Sequence, residues 1–221
     1  MKPNSSPSPE PIGTTGLLHT FAASLAVLVI GVALLFDVTD HGRSFTTESL
    51  RRGQVVRKSI PIPNLLTVDQ HGDRMPLRQW LAQDNRVVIL DFVYTRCQSL
   101  CSSLGSIYQQ MQAELIARGL QKRVSLLSIS FDPVHDQPQA LAIYALRMGM
   151  QPESWQILSL ATVQDRRALL DAFGIMVIPA PLGEFEHNAA LHIVSPRGEL
   201  VQIVDYTSPG FALSTAMTMK P

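Results

Sequence analysis

Residues 86–94, RVVILDFVY, make a near-continuous apolar run of strand length. A strand with one wet face alternates apolar and polar side chains, so a run of this kind predicts a central strand buried on both faces. Directly after it stand Cys97 and Cys101, the two cysteines of the sequence. Their place at the end of a buried strand frames the functional question as well as the structural one.

The segments around this run alternate in type. From about Ser99 to Arg118, Leu100, Leu104, Ile107, Tyr108, Met111 and Leu115 recur at three- and four-residue steps, and Gly119 is placed to end the helix they predict. RVSLLSISF, residues 123–131, reads as a second buried strand, and Pro138 to Met148 as a helix with Asp136 as its cap. WQILSL is a strand, and Thr162 to Phe173 a helix opening on TVQD. ALHIVSP and LVQIVDY are two last strands joined by the turn SPRGE. Upstream, Leu65 to Val68 predicts a strand, DQHGD a turn and Leu77 to Leu81 a short helix, read together as a lid hairpin before the core sheet. The order of these elements predicts an α/β sandwich of thioredoxin type.

A different signal occupies the N-terminal end. No Asp, Glu, Lys or Arg occurs from Ile12 to Phe36, and Gly16 to Phe36 is about the 20 residues a helix needs to cross a bilayer. A cleaved signal peptide competes with an uncleaved anchor, but its apolar core is usually about 7–15 residues before a small-x-small cleavage site. The sequence LLFDVTD offers no such site. The chain is therefore expected to hold a disordered Pro/Ser-rich tail (1–15), a transmembrane anchor (16–36), a polar tether (37–58) and a folded domain (59–221). Lys2 precedes the anchor and Arg43, Arg51 and Arg52 follow it, a count that slightly favours a cytoplasmic C-terminal domain. With 18 basic and 18 acidic residues, the whole-molecule field gives no reason to expect nucleic acid as a partner.

The predicted strand–helix junction puts both cysteines at a helix N-terminus, where unpaired N–H groups and the helix dipole favour thiolate. Residues i and i+4 share a helix face with Cβ atoms about 6 Å apart, so two thiolates can converge on one ion or, after adjustment, close a disulfide. The CxxC motif of thiol oxidoreductases is one residue shorter. Two soft thiolates suit Cu(I), Zn(II) or an iron–sulfur cluster. A cluster asks for more cysteines than this chain has and structural zinc for four ligands, whereas Cu(I) is satisfied with two or three.

Histidine is the natural third donor. His19 lies in the apolar run, and His41 and His71 lie in linker and turn where solvation is expected. His135, in DPVHD, is expected at the surface, and His192, within a strand, as a packed and hydrogen-bonded side chain. His187 ends a loop containing Pro179, Pro181 and Gly183 just before a strand, the kind of position where functional side chains concentrate. Met217 and Met219 are expected to pack or dangle rather than to ligate. Metal binding, thiol exchange and an inert disulfide all remain open on these residues.

Three stretches carry a resemblance: DFVYTRCQSLC, SISFDPVHD and EHNAALHIVSPRGEL. Together they resemble the Sco/SenC family of membrane-anchored copper proteins used in cytochrome c oxidase assembly. The matching positions are Tyr94, Thr95, Cys97 and Cys101; Ser130, Asp132 and Pro133; and His187, eleven residues before Gly198 of the Pro196–Gly198 turn. The resemblance spans about Ile60 to Tyr206 and implies a thioredoxin-like domain holding copper through Cys97, Cys101 and His187. It also implies a copper donor, the copper-bearing oxidase subunit as acceptor, and a domain outside the bacterial cytoplasmic membrane or in the mitochondrial intermembrane space. Thiol–disulfide reduction of the acceptor by the cysteine pair is the alternative it leaves. Asp132 is expected to orient the cysteine loop, to line the site, or to serve a plain Asp-Pro turn. Gln98 and Ser102 stand where family members commonly have proline, and Asn188 where Ser or Thr is frequent. Losing the prolines loosens the loop and alters affinity or redox potential.

Overall fold

The computed structural model describes residues 14–39, 47–97, 100–181 and 184–219, without the side chains of residues 14, 15, 38, 47 and 100–103. Most of the expected tail and residues 40–46 of the expected tether, His41 included, lie outside the described residues. The chain divides into two compact units, Met1–Arg51 and Arg52–Pro221.

The first unit is dominated by α1 (Thr14–Val38). Its 22 residues from Gly16 to Asp37 are long and apolar enough to cross a membrane. Large side chains from Leu17 to Phe36 stand exposed along it, as on a helix made to face lipid rather than a protein core. Within the stretch expected as a tether lies α2 (Thr47–Arg57), whose Val55 is 1% exposed and belongs to the core of the second unit. One buried valine in a polar segment leaves no periodic signal.

The second unit runs β1 (Ile60–Pro61), β2 (Leu66–Asp69), β3 (Arg74–Pro76), α3 (Leu77–Asp84), β4 (Val87–Val93), α4 (Leu100–Ala117), β5 (Val124–Ser130) and α5 (Pro138–Met148). It continues through β6 (Trp155–Leu160), α6 (Arg166–Phe173), β7 (Val177–Pro179), β8 (Phe185–His187), β9 (Leu191–Val194), β10 (Glu199–Val204) and α7 (Pro209–Thr218). Eight strands form one sheet in the order β1-β10-β9-β4-β5-β6-β2-β3. β4, β5 and β6 are parallel, while β9 lies antiparallel on the other side of β4.

All seven residues of β4 are buried, as the apolar run predicts. Successive side chains of a strand point to opposite faces. Val88, Leu90 and Phe92 accordingly join the cluster formed with α3, α5 and α6, and Val87 and Ile89 the cluster formed with α4 and α7. Helices thus cover both faces of a parallel centre flanked by an antiparallel hairpin, the thioredoxin-like arrangement expected from the order of elements.

Four local expectations change. The β2–β3 hairpin is no lid: β2 pairs antiparallel with β6 and the hairpin forms the edge of the main sheet. The sixth helix starts at Arg166 rather than Thr162, whose hydroxyl donates to Asp165 Oδ2 at 2.9 Å ahead of the helix. Gln137, not Asp136, is the N-cap residue of α5, because Asp136 turns its carboxylate elsewhere. The loop expected to end at His187 contains a second, two-stranded sheet of β7 and β8, with Val177 opposite His187. Met217 and Met219 pack against the α4–α7 cluster.

Candidate metal centre

Strand β4 delivers the chain into a tight turn in which Cys97 N–H donates to Tyr94 O at 3.2 Å. Cys97 is 5% exposed. This turn is held from below by the residues that follow β5. Asp136 accepts from Thr95 N–H at 2.9 Å, from Thr95 Oγ1 at 2.6 Å, and from the Ser130 hydroxyl. Asp132 accepts from Arg96 Nη2 at 3.1 Å and Arg166 Nη2 at 3.2 Å, and its Oδ2 lies 2.8 Å from His135 Nδ1. Both aspartates are 1% exposed, so each carboxylate's desolvation is offset by the donors gathered around it. Arg147, from α5, adds a bond from Nη2 to Thr95 O at 3.1 Å. The loop that presents Cys97 is therefore set by the turn between β5 and α5. Asp132 contacts the cysteine loop through Arg96, in keeping with the loop-orienting role among those expected for it.

His187 approaches from the other side, at the end of β8. Its ring stands edge-on to Phe131 at a centroid distance of 5.2 Å and 6.3 Å from Tyr94. Nδ1 lies 3.0 Å from the Asn188 carbonyl oxygen. A carbonyl can only accept, so Nδ1 carries the proton and Nε2 keeps its lone pair. That Nε2 atom is buried and has no hydrogen-bond partner among the described residues. Burial holds the imidazole below its ordinary pKa, partly offset by the Asn188 carbonyl and by the charge of the nearby Cys97. The ring is thus neutral near pH 7 and offers a lone pair. Asn188, at the position where family members often carry Ser or Thr, closes the hairpin: its side chain accepts from Met176 N–H at 2.7 Å and donates to Gly174 O at 3.0 Å.

Tyr94 lies between the two approaches. Its hydroxyl donates to Glu184 Oε2 at 2.6 Å and accepts from Phe185 N–H at 3.2 Å. Burial, then the bond to Glu184, pushes the phenol above its ordinary pKa, with Cys97 a further hydrogen-bond neighbour.

Of the three residues expected at the site, Cys97 and His187 come within electrostatic reach of one another. Cys101 occupies the first turn of α4, and its side chain lies outside the described residues. Among the described residues no group of three or more His, Cys, Asp or Glu could by itself hold a metal ion. A cysteine sulfur beside a neutral imidazole whose Nε2 is an orphaned buried acceptor nonetheless fits a soft, low-coordinate cation such as Cu(I). His71, His135 and His192 lie elsewhere in the second unit. His71 is exposed in the β2–β3 turn. His135 is half exposed and bound to Asp132. His192 is buried opposite Leu90, packed edge-on against Phe92 and Phe173. What the sequence reading missed is the Asp136 clamp and the Tyr94–Glu184 bond. A second aspartate four residues after Asp132, behind a buried strand, was the available signal for the first. Nothing local signalled the second.

Comparison with known proteins identifies the family and agrees with the fold. Residues 66–219, more than half of the chain, match the family described as SCO1/SenC. A Bacillus subtilis protein described as a SCO1 protein homolog is 24% identical over 119 residues, which cover 52% of this chain and 60% of that protein. The alignment thus spans less than two thirds of that relative. Among solved structures, yeast Sco1 with copper bound superposes with a TM-score of 0.59 at 18% identity, over 74% of this chain and 91% of that one. BsSco superposes with a TM-score of 0.60 at 21% identity, over 74% and 96% of the two chains. It is a Sco-family cytochrome c oxidase assembly protein in which a disulfide switch was identified.

Proposed function

We propose, because this chain belongs to the SCO1/SenC family, that it is a membrane-anchored copper-binding protein of cytochrome c oxidase assembly. The cargo is Cu(I), held by the thiolates of Cys97 and Cys101 and by Nε2 of His187. The observation that carries the reading is the buried, partnerless Nε2 of His187 beside Cys97, with its tautomer set by the Asn188 carbonyl. Copper bound to yeast Sco1 and the membership of BsSco in a family of cytochrome c oxidase assembly proteins support this choice of cargo and purpose.

Three ligands leave room for a fourth. Delivery proceeds by ligand exchange, with a sulfur of the copper-bearing oxidase subunit entering as a ligand of this chain leaves, and loading from a copper donor runs the other way. The segment 16–36 anchors the protein, 37–58 links it to the membrane, and the domain from 59 to 221 works outside the bacterial cytoplasmic membrane or in the mitochondrial intermembrane space.

A second reading rests on the disulfide switch identified in BsSco. Here the Cys97–Cys101 pair gives two electrons and two protons to a disulfide of the acceptor, becoming a disulfide itself through a mixed-disulfide intermediate. His187 then has no required part.

A Cu(I) competition titration on the reduced full-length chain in detergent separates the readings. One tight equivalent, weakened at least tenfold in each of His187→Ala, Cys97→Ser and Cys101→Ser, is the expected outcome. Tight binding indifferent to His187→Ala removes the third ligand. Absence of copper binding together with rapid disulfide exchange makes the protein a reductase.

A further inference from the structure

The hairpin that carries His187 is built apart from the main sheet. β7 and β8 pair with each other, and neither joins the eight-stranded ladder that carries β4 and the Cys97 turn. Something other than a strand ladder has to keep His187 at a fixed distance from Cys97. Two short strands are too few to hold a position by themselves.

Tyr94 is placed to do this. It follows β4 directly, three residues before Cys97, and makes its hydrogen bonds at the start of β8. Its hydroxyl donates to Glu184 Oε2 at 2.6 Å, accepts from Phe185 N–H at 3.2 Å and lies 3.1 Å from Phe185 O. Its ring packs edge-on to Phe185, with centroids 5.3 Å apart, and tilts against Phe131 at 5.6 Å. The ring alone would be supplied equally well by phenylalanine. A buried hydroxyl needs partners, and besides its Cys97 neighbour those of Tyr94 lie on residues 184 and 185, three and two residues before His187.

We propose that the Tyr94 hydroxyl and Glu184 form a latch that fixes the β7–β8 hairpin against the Cys97 turn. Tyr94 is a positioning residue: it sets the separation of His187 Nε2 from the Cys97 sulfur and thereby the rate at which the cargo metal leaves. The metal part of this inference rests on the ligand set proposed above. The latch itself does not. With the latch closed, imidazole and thiolate converge. With it open, the hairpin carries His187 away and leaves the metal to the cysteines.

The test uses the full-length chain in detergent with the variants Tyr94→Phe, Glu184→Ala and the double variant. Two quantities are read: hydrogen exchange of backbone amides in residues 177–187 without metal, and the rate of Cu(I) loss to a bathocuproine chelator. Each single variant is expected to speed hairpin exchange and Cu(I) loss by about tenfold, the effect of one well-formed hydrogen bond to a charged group. The double variant is expected to be no faster than either single one, because both changes open the same latch. Additive effects would mean that the two side chains act independently and would overturn the latch. Unchanged hairpin exchange in both single variants overturns the latch. Faster exchange with unchanged Cu(I) loss overturns the positioning role. If the parent chain takes up no copper, the metal reading fails by itself, and the exchange data still decide whether the latch exists.

Discussion

Asp91 sits in the middle of β4 and serves no part of the site. By strand alternation it shares a face with Val87 and Ile89, on the side covered by α4 and α7. Its Oδ1 is buried without a hydrogen-bond partner among the described residues. Burial pushes its pKa up to about 7, against weaker opposition from Ser128 and its own backbone, and the buried Tyr108 phenol is its charge neighbour. A carboxyl whose pKa is higher folded than unfolded favours folding while it is protonated. Its contribution is complete below about pH 4 and is lost as pH rises through about 7. Asp91→Asn is therefore expected to flatten the pH dependence of stability between pH 4 and 7. At pH 8 it should exceed the parent chain by up to about 4 kcal/mol. Urea midpoints at pH 5 and pH 8 check this, and parallel shifts at the two values would mean that Asp91 is not the titrating group. Residue identity alone made Cys97, Cys101 and His187 visible as candidates, because thiols and imidazoles have few structural uses that need such placement. Tyr94 and Asp136 looked ordinary, since a tyrosine and an aspartate are explained by many environments.

The element that organises the site is the turn from Asp132 to Asp136 between β5 and α5. In place of capping α5, Asp136 reaches across to the end of β4 and satisfies three donors. Asp136→Ala leaves those buried and half-buried donors without this acceptor and is expected to cost about 3 kcal/mol, whereas Asp136→Asn, which keeps a carbonyl acceptor, should cost less. The loss is expected to be local before it is global, with Cys97 alkylated faster by a small reagent under native conditions. An alanine variant with unchanged stability and unchanged Cys97 reactivity would remove the clamp from the account. Helix periodicity located α4 closely, and continuous apolar runs located β4, β5 and β6, because those strands are buried on both faces. The same method failed for β7 and β8, three residues each, which are too short to show alternation.

For the molecule as a whole, the proposed function makes a prediction about which side of a membrane the site faces. Arg43, Arg51 and Arg52 after α1 outnumber Lys2 before it, yet the proposed delivery to an oxidase copper centre would need the domain outside the cytoplasm. A reporter active only after export, fused behind Pro221, is expected to be active, and a cytoplasmic reporter at the same place silent. The reverse pattern would sink the assigned location. The sequence by itself determined the elements and the chemistry on offer: an all-round apolar helix, a doubly buried strand running into two cysteines, and a histidine before a strand. These follow from near neighbours along the chain, where burial repeats every two or about 3.6 residues. Which of these groups meet was decided only by the tertiary structure. Tyr94 and Glu184 are 90 positions apart and Thr95 and Asp136 are 41 apart. No local period links such pairs; they meet because the sheet places the ends of β4 and β5 side by side and a separate hairpin folds back over them.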